Sequence, residues 1–447
     1  MHRTFFTSVI IWMIVFTFIY ADGWGNEGDK PNPLAIDGLE ANLICTHDIF
    51  SNIAGGQERG TANLGLLDCM FSADLEQLLS VRGTSIFCDG VFAYGKNPSD
   101  FAGDIQGVSN IASEPMLKLY ECWLCQSLWK ETGSVLIGIY DLNSEFDVNE
   151  FSGAFLNGSF GMGPDFSQSG VNGVPTYPNP ALTLRFRYDL NEQFYWLMAV
   201  ADGVPGNLNE KGLNIKLSAD DGALICTEFG LQTHLERLRK STFKYERQHI
   251  RRFYLGAGNR WHKRQHPRHS RHDLSLADIG CPCRKYCKLA VGIWFYTSEI
   301  ENYLINNEGP EYTQSWGAYL LGEKVLWSVS ERFISGFFRA GYANPVVNPV
   351  SLYCGCGLVY TGPSSRSRYH QLGLAVAVAR VSDDYREKMA VNNREPDKVE
   401  IAIELICRLR MNQWIMMQPD LQYIINPGIN PGFAHALVPG LRLEITI

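Results

Sequence analysis

Carboxylates, thiols and imidazoles at close spacing carry acid–base, redox and metal chemistry, and this chain holds several such groups. Asp220-Asp221 and Asp383-Asp384 are adjacent carboxylate pairs. Neighbours on an extended chain point to opposite sides, so neither pair converges on one substrate atom as general acid–base work requires. Both also fall in loop-like runs, where acidic pairs are usually solvated. Cys122 and Cys125 have the spacing of a redox or zinc motif. On a strand a separation of three sends them to opposite faces, against metal or redox work. His262 and His266 would share a helical face and, with Cys281, Cys283 and Cys287, could hold zinc. Their surroundings are polar, charged and without a core, which favours a solvated basic segment. No P-loop, GxSxG or HExxH occurs. The expectation is no catalytic residue, no metal and no cofactor.

The ordered signal is period two. Leu437, Leu441, Leu443, Ile445 and Ile447 fall on one face, and Gly440, Arg442, Glu444 and Thr446 on the other. Leu182, Leu184, Phe186 and Tyr188 alternate with Thr183, Arg185 and Arg187. Similar runs lie at 67–75, 401–409 (with Glu404 and Arg408 on the polar face) and 415–425 (with Gln418, Asp420 and Gln422). Such alternation marks strands with one apolar face. Sixteen runs qualify, near 42–48, 63–75, 85–94, 118–129, 135–142, 182–188, 194–202, 222–230, 288–297, 316–323, 336–343, 353–360, 371–380, 400–409, 414–426 and 436–447. Those at 42–48, 194–202 and 316–323 are the weakest. An even number of runs, each near the 9–11 residues of a tilted membrane strand, predicts an all-β, closed antiparallel transmembrane barrel of about sixteen strands.

The connections alternate in length. Those at 130–134, 189–193 and 410–413 are short; those at 95–117, 143–181, 203–221 and 381–399 are long. Short periplasmic turns and long external loops are the barrel pattern. The third external loop, 143–181, rich in Gly, Ser, Asn and Phe, would either fold into the lumen or stay exposed. One connection breaks the rule: about 231–287 is a basic insert with six of the ten histidines.

Composition fits. Among 447 residues, 12% are aromatic and 42 are glycine, a β-rich mix, and a net charge of −8 makes no case for nucleic acid. Arg3 followed by the apolar run Phe5–Tyr20 reads as a signal peptide over 1–21, ahead of an N-terminal segment 22–41 and a barrel over 42–447. Beyond Tyr20 no apolar run is long enough for a membrane helix. The twelve cysteines would suggest disulfides in an exported chain, but their spacing outlines no framework.

Several long blocks now occur in one order: Ile139-Tyr140-Asp141-Leu142-Asn143-Ser144-Glu145-Phe146, Phe155–Gly173, Asp202-Gly203-Val204-Pro205-Gly206, Asp220-Asp221-Gly222-Ala223-Leu224, Trp294-Phe295-Tyr296-Thr297, Ser382-Asp383-Asp384-Tyr385-Arg386 and Gln418–Gly428. From about Gly38 to the C-terminus, without the insert, the chain resembles the carbohydrate-selective outer-membrane porins of the OprB type. The resemblance implies a sixteen-stranded barrel of the bacterial outer membrane that passes small sugars passively, without a cofactor. The insert, Cys45, Cys88, Cys125, Cys354, Cys356 and the terminal Ile447 depart from the family pattern.

A sugar path needs Arg and carboxylates for hydroxyls and aromatic rings for C–H faces. Parity places Asp68, Asp89, Glu121, Trp123, Arg185, Arg187, Arg339 and Arg442 toward a lumen, with Arg185 and Arg187 the first candidates because they follow the third loop. Asp165 and Phe166 are candidates within that loop. For each, a salt bridge that only stiffens the wall is the competing role. Small sugars and outer-membrane lipid are the expected partners, with monomer and homo-trimer both open. A general, unselective porin and a secreted soluble carbohydrate-binding β-sandwich are the alternatives.

Overall fold

The computed structural model describes residues 35–206, 221–233, 286–303, 310–330, 332–363, 370–390, 395–412 and 414–447. The expected signal peptide, and the body of the insert with His262, His266, Cys281 and Cys283, lie outside the described residues.

The alternating runs become sixteen long strands: β1 Leu39–Asn52, β2 Gly60–Asp74, β3 Thr84–Gly95, β4 Met116–Leu128, β5 Gly133–Tyr140, β6 Ala181–Asp189, β7 Phe194–Asp202, β8 Ala223–Gln232, β9 Cys287–Glu301, β10 Tyr312–Val329, β11 Arg332–Ala343, β12 Val350–Gly362, β13 His370–Val381, β14 Val399–Arg410, β15 Ile415–Ile425 and β16 Ala434–Thr446. Two short segments, Ala35–Ile36 and Ala54–Gly56, flank β1. Each strand is antiparallel to its chain neighbours, and β16 returns to β1 with Arg442 opposite Asp48 and Ile445 opposite Cys45. The sheet is a closed barrel. Every expected run overlaps a strand, including the three weak ones. β10 runs well past 316–323 at both ends, because its alternation is broken by Gly, Glu and Lys and by a register shift between Val325 and Trp327.

The two rims differ as expected. At one, strands join through short links: β4 to β5 by the turn Trp129–Glu131, β6 to β7 by 190–193 and β14 to β15 by 411–414. At the other, the connections 96–115, 141–180, 203–222 and 382–398 are long.

The faces are reversed relative to a soluble protein. Leu289, Ile293, Phe338, Leu352, Leu374, Leu405 and Leu421 point outward and are exposed. Glu228, Glu400, Glu404 and Arg185 point inward and are 0% exposed. Water would not leave such a continuous apolar belt uncovered; hydrocarbon does. This excludes the soluble sandwich, whose apolar faces would pack inward. No described helix is long and apolar enough to cross a membrane, and the strands do the crossing.

Closure gives a test. In outer membranes isolated from expressing cells, the protein should migrate as a compact band on SDS gels when unboiled and shift on boiling. A single unchanged mobility would contradict a closed barrel.

Candidate functional site: the narrowed lumen

The third connection, 141–180, folds inward. An irregular segment has backbone donors that a sheet cannot satisfy, so its position is fixed by whatever accepts them. Here the acceptors are wall carboxylates. Glu228 on β8 accepts from the Asp147 N–H (3.0 Å), and also from the Tyr319 and Tyr195 hydroxyls. Glu323 on β10 accepts from Phe151 N–H (2.9 Å) and Tyr286 OH (2.6 Å). Glu404 on β14 takes Leu156 N–H at 2.6 Å and Asn157 N–H at 3.0 Å. Lys288 donates to the Val148 carbonyl, Gln418 to that of Ala154 and Tyr353 to that of Ser159. The connection therefore crosses from the β8 side of the barrel to the β15 side, tied at each step. Of its two readings, the inward one holds.

Arg339 on β11 is the central tie. Its Nε and Nη2 donate to Asp147 at 3.0 and 2.9 Å, and its Nη1 to Asp165. The guanidinium lies 5.1 Å from the Tyr353 ring and 5.7 Å from that of Tyr319. Asp165 sits on the single turn Pro164–Ser167, whose Phe166 stacks on Trp294 at 5.1 Å and on Tyr319 at 5.9 Å. The turn approaches the wall so closely that a side chain on Gly341 would fall on the Asp165 carboxylate. Burial pushes the Asp165 carboxyl above its usual range against the pull of Arg339, which Asp147 already neutralises.

The connection 96–115 is also anchored inside. Ser109 donates to Asp48 (2.7 Å), and Arg442 donates to both Asp48 oxygens and to Asn110 Oδ1, all at 2.7 Å. Ile105 N–H and the Gln106 amide donate to Glu400.

All eight side chains expected to face the lumen do point inward, yet they form no single ring. Asp89 and Glu121 are register partners on β3 and β4, and Trp123 packs on Phe87 at 5.1 Å. Asp68 lies on the same acidic side, on β2. Arg185 pairs with Glu145 of the third connection at 2.7 Å and is fully enclosed. Arg187 pairs with Asp189 at 3.0 Å and lies over the Tyr195 ring. Arg339 meets Asp165, and Arg442 stands apart with Asp48. Sequence reasoning left out Asp48, Asp147, Glu145, Glu228, Glu323 and Arg408. Glu404 and Arg408 carried the same parity signal that selected the others. Among the described residues, no group of three or more His, Cys, Asp or Glu is arranged to hold a metal ion.

Between the inward connections and the wall, a cleft remains beside the β16–β1 seam. Its polar lining comes from Thr46, Asn110, Arg408, Gln418, Arg442 and Glu444. Arg408 donates from Nε to the Met416 sulfur, while its Nη1 has no hydrogen-bond partner among the described residues. A second cleft lies along Asn149, Ser152, Phe160, Phe337, Arg339 and Tyr353.

An apolar-skinned barrel with a charged lumen narrowed by an inward loop defines an outer-membrane channel. The family model described as "Carbohydrate-selective porin, OprB family" matches residues 58–447. The chain belongs to that family, and it is a sugar-selective channel of the outer membrane. The family and its fold are those of channel proteins, not enzymes. Porin B of Pseudomonas aeruginosa is 22% identical, over 94% of this chain and 90% of its own length. The solved high-pH structure of Pseudomonas putida OprB has the same fold, with a TM-score of 0.72 at 17% identity, over 92% of this chain and 94% of that one. The low-pH structure of the same protein superposes less closely, with a TM-score of 0.53 at 14% identity.

The tie at Arg339 is testable. Removing one partner of a buried ion pair typically costs about 3–5 kcal/mol. Arg339→Ala and Asp147→Asn should each lower the unfolding temperature of the detergent-solubilised barrel and raise current noise in planar bilayers. Asp165→Asn should do markedly less, because Asp147 alone neutralises Arg339. Equal losses for D147N and D165N would refute that ranking.

Proposed function

We propose that small sugars of about monosaccharide size diffuse passively through this barrel between the inward connections and the wall. The observation that carries the reading is the cleft at the β16–β1 seam. It offers guanidinium, amide, hydroxyl and carboxylate groups together, and Nη1 of Arg408 has no hydrogen-bond partner among the described residues. A sugar hydroxyl both donates and accepts, so such a lining exchanges its hydration shell group by group. The rings of Phe160, Phe337 and Tyr353 in the neighbouring cleft suit apolar C–H faces.

On this reading the expected residues divide by role. Arg442, joined by Arg408, touches the permeant. Arg339, Arg185 and Arg187 hold the third connection and the wall, with Asp165 and Phe166 seating its tip. Asp68, Asp89, Glu121 and Trp123 form an acidic flank under the loops. The N-terminal segment 1–21 serves as a cleaved export signal, the short turns face the periplasm, and lipid covers the outer belt. One barrel encloses a complete lumen, so the path needs no second copy, whether the protein is a monomer or a homo-trimer.

Proteoliposome swelling checks this. Hexoses should enter several-fold faster than amino acids of similar size, and R408A should reduce that ratio while the barrel stays heat-modifiable. Equal rates for both solute classes in the unaltered protein would favour a general porin.

A further inference from the structure

The outer face of the barrel brings two thiols together that the permeation path does not use. Cys88 on β3 and Cys122 on β4 are register partners. Each lies next to an inward carboxylate, Asp89 and Glu121, so both point outward, and both are partly exposed. Their sulfurs are 2.9 Å apart. Directly opposed residues of an antiparallel pair have Cα atoms about 4.5–5.5 Å apart, within the span of about 4.4–6.8 Å that a disulfide bridges. Among the described cysteines no other two face each other in register. Cys45 stands opposite Leu67, Cys69 opposite Leu43 and Gly90, and Cys354 opposite Ala340 and Val378. Cys354 and Cys356 share a face but lie along one strand.

We propose that Cys88 and Cys122 form a cross-strand disulfide during export. An outer-membrane protein crosses the periplasm, where dithiol oxidases hold thiols oxidised. One cysteine loses its proton, and its thiolate attacks the disulfide of such an oxidase, giving a mixed disulfide and one oxidase thiolate. The second cysteine, deprotonated in turn, attacks the mixed disulfide. This forms the Cys88–Cys122 bond and releases the second oxidase thiolate. Two electrons pass to the oxidase, whose two thiolates take up the two protons given up by the cysteines, so that it leaves as a dithiol. The bond must form before or during insertion, because the finished pair faces hydrocarbon, where thiolates are disfavoured and water-soluble thiols do not reach. For the same reason it then persists. It closes a loop from 88 to 122 that contains the inward connection 96–115, whose Ser109 and Asn110 hold Asp48 and Arg442. The bridge therefore staples the base of a segment that borders the seam cleft.

Peptide mapping of the full-length protein from outer membranes decides the matter. Free thiols are alkylated with N-ethylmaleimide before lysis, and the tryptic digest is analysed without reduction. Gly83–Lys96 carries Cys88, and Leu119–Lys130 carries both Cys122 and Cys125. The expected result is a linked pair of these peptides in most molecules, retained in C125S and absent in C122S. Maleimide on both Cys88 and Cys122 in the unaltered protein would overturn the proposal, as would a link that survives in C122S. The map of the unaltered protein needs no variant to fold.

Discussion

Pairing of the last strand with the first is the interaction on which this molecule depends. From Gly440 opposite Phe50 to Thr446 opposite Ile44, β16 completes a sheet that would otherwise end in two open edges. In hydrocarbon an unpaired backbone group costs several kcal/mol and finds no water to relieve it. The seam is marked by a charge pair in register: Arg442 and Asp48 are directly opposite and joined by two hydrogen bonds. A slip of β16 by one residue would turn Arg442 into lipid and leave Asp48 enclosed without it. Closure thus fixes which face of every strand is inside, and the interior chemistry follows from that assignment.

Having an inside creates a second problem. Wall carboxylates such as Glu228, Glu323 and Glu404 are covered by the third connection and lose bulk water. An enclosed charge is tolerable only with compensating donors. The connection supplies them as backbone N–H groups, which themselves lack a strand to pair with. Wall and connection therefore satisfy each other, and neither arrangement is stable alone. Arg339, shared between Asp147 and Asp165, binds the middle of the span where aromatic rings rather than carboxylates line the wall. A narrow lumen is the consequence of this mutual satisfaction, since a loop held at both sides and in the centre has little room to swing.

Strand positions were legible because a membrane barrel enforces period two with nearly pure faces, as in β6, β14 and β16. β10 was legible only over 316–323; past it lie Lys324 and the register shift between Val325 and Trp327, which break the rhythm. Parity also put Arg185 inside, but not its enclosure, which requires Glu145 from another element. The inward course of the third connection was undecided in sequence for the same reason: its partners, Glu228 to Gln422, are far along the chain. Cysteine spacing pointed first to Cys122 and Cys125, which the structure turns to opposite faces. The pair that meets, Cys88 and Cys122, is visible only once the β3–β4 register is known, including its shift between Asp89 and Gly90.

The cleft and the seam occupy the same place, and this places a constraint on how selectivity can vary. Thr46, Arg408, Gln418, Arg442 and Glu444 belong to β1, β14, β15 and β16, the strands that close the barrel. Closure rests on their backbone and outward apolar side chains, whereas the lining uses the alternate, inward positions. The two functions are thus written on the same strands one residue out of phase. Arg442 is the exception, because its guanidinium serves the seam through Asp48 and the lining through Asn110. Arg408 makes no bond across the seam: its Nε rests on the Met416 sulfur, and its Nη1 has no hydrogen-bond partner among the described residues. Of the two arginines, Arg442 is the one tied to Asp48 across the seam, so its loss would loosen the closure itself.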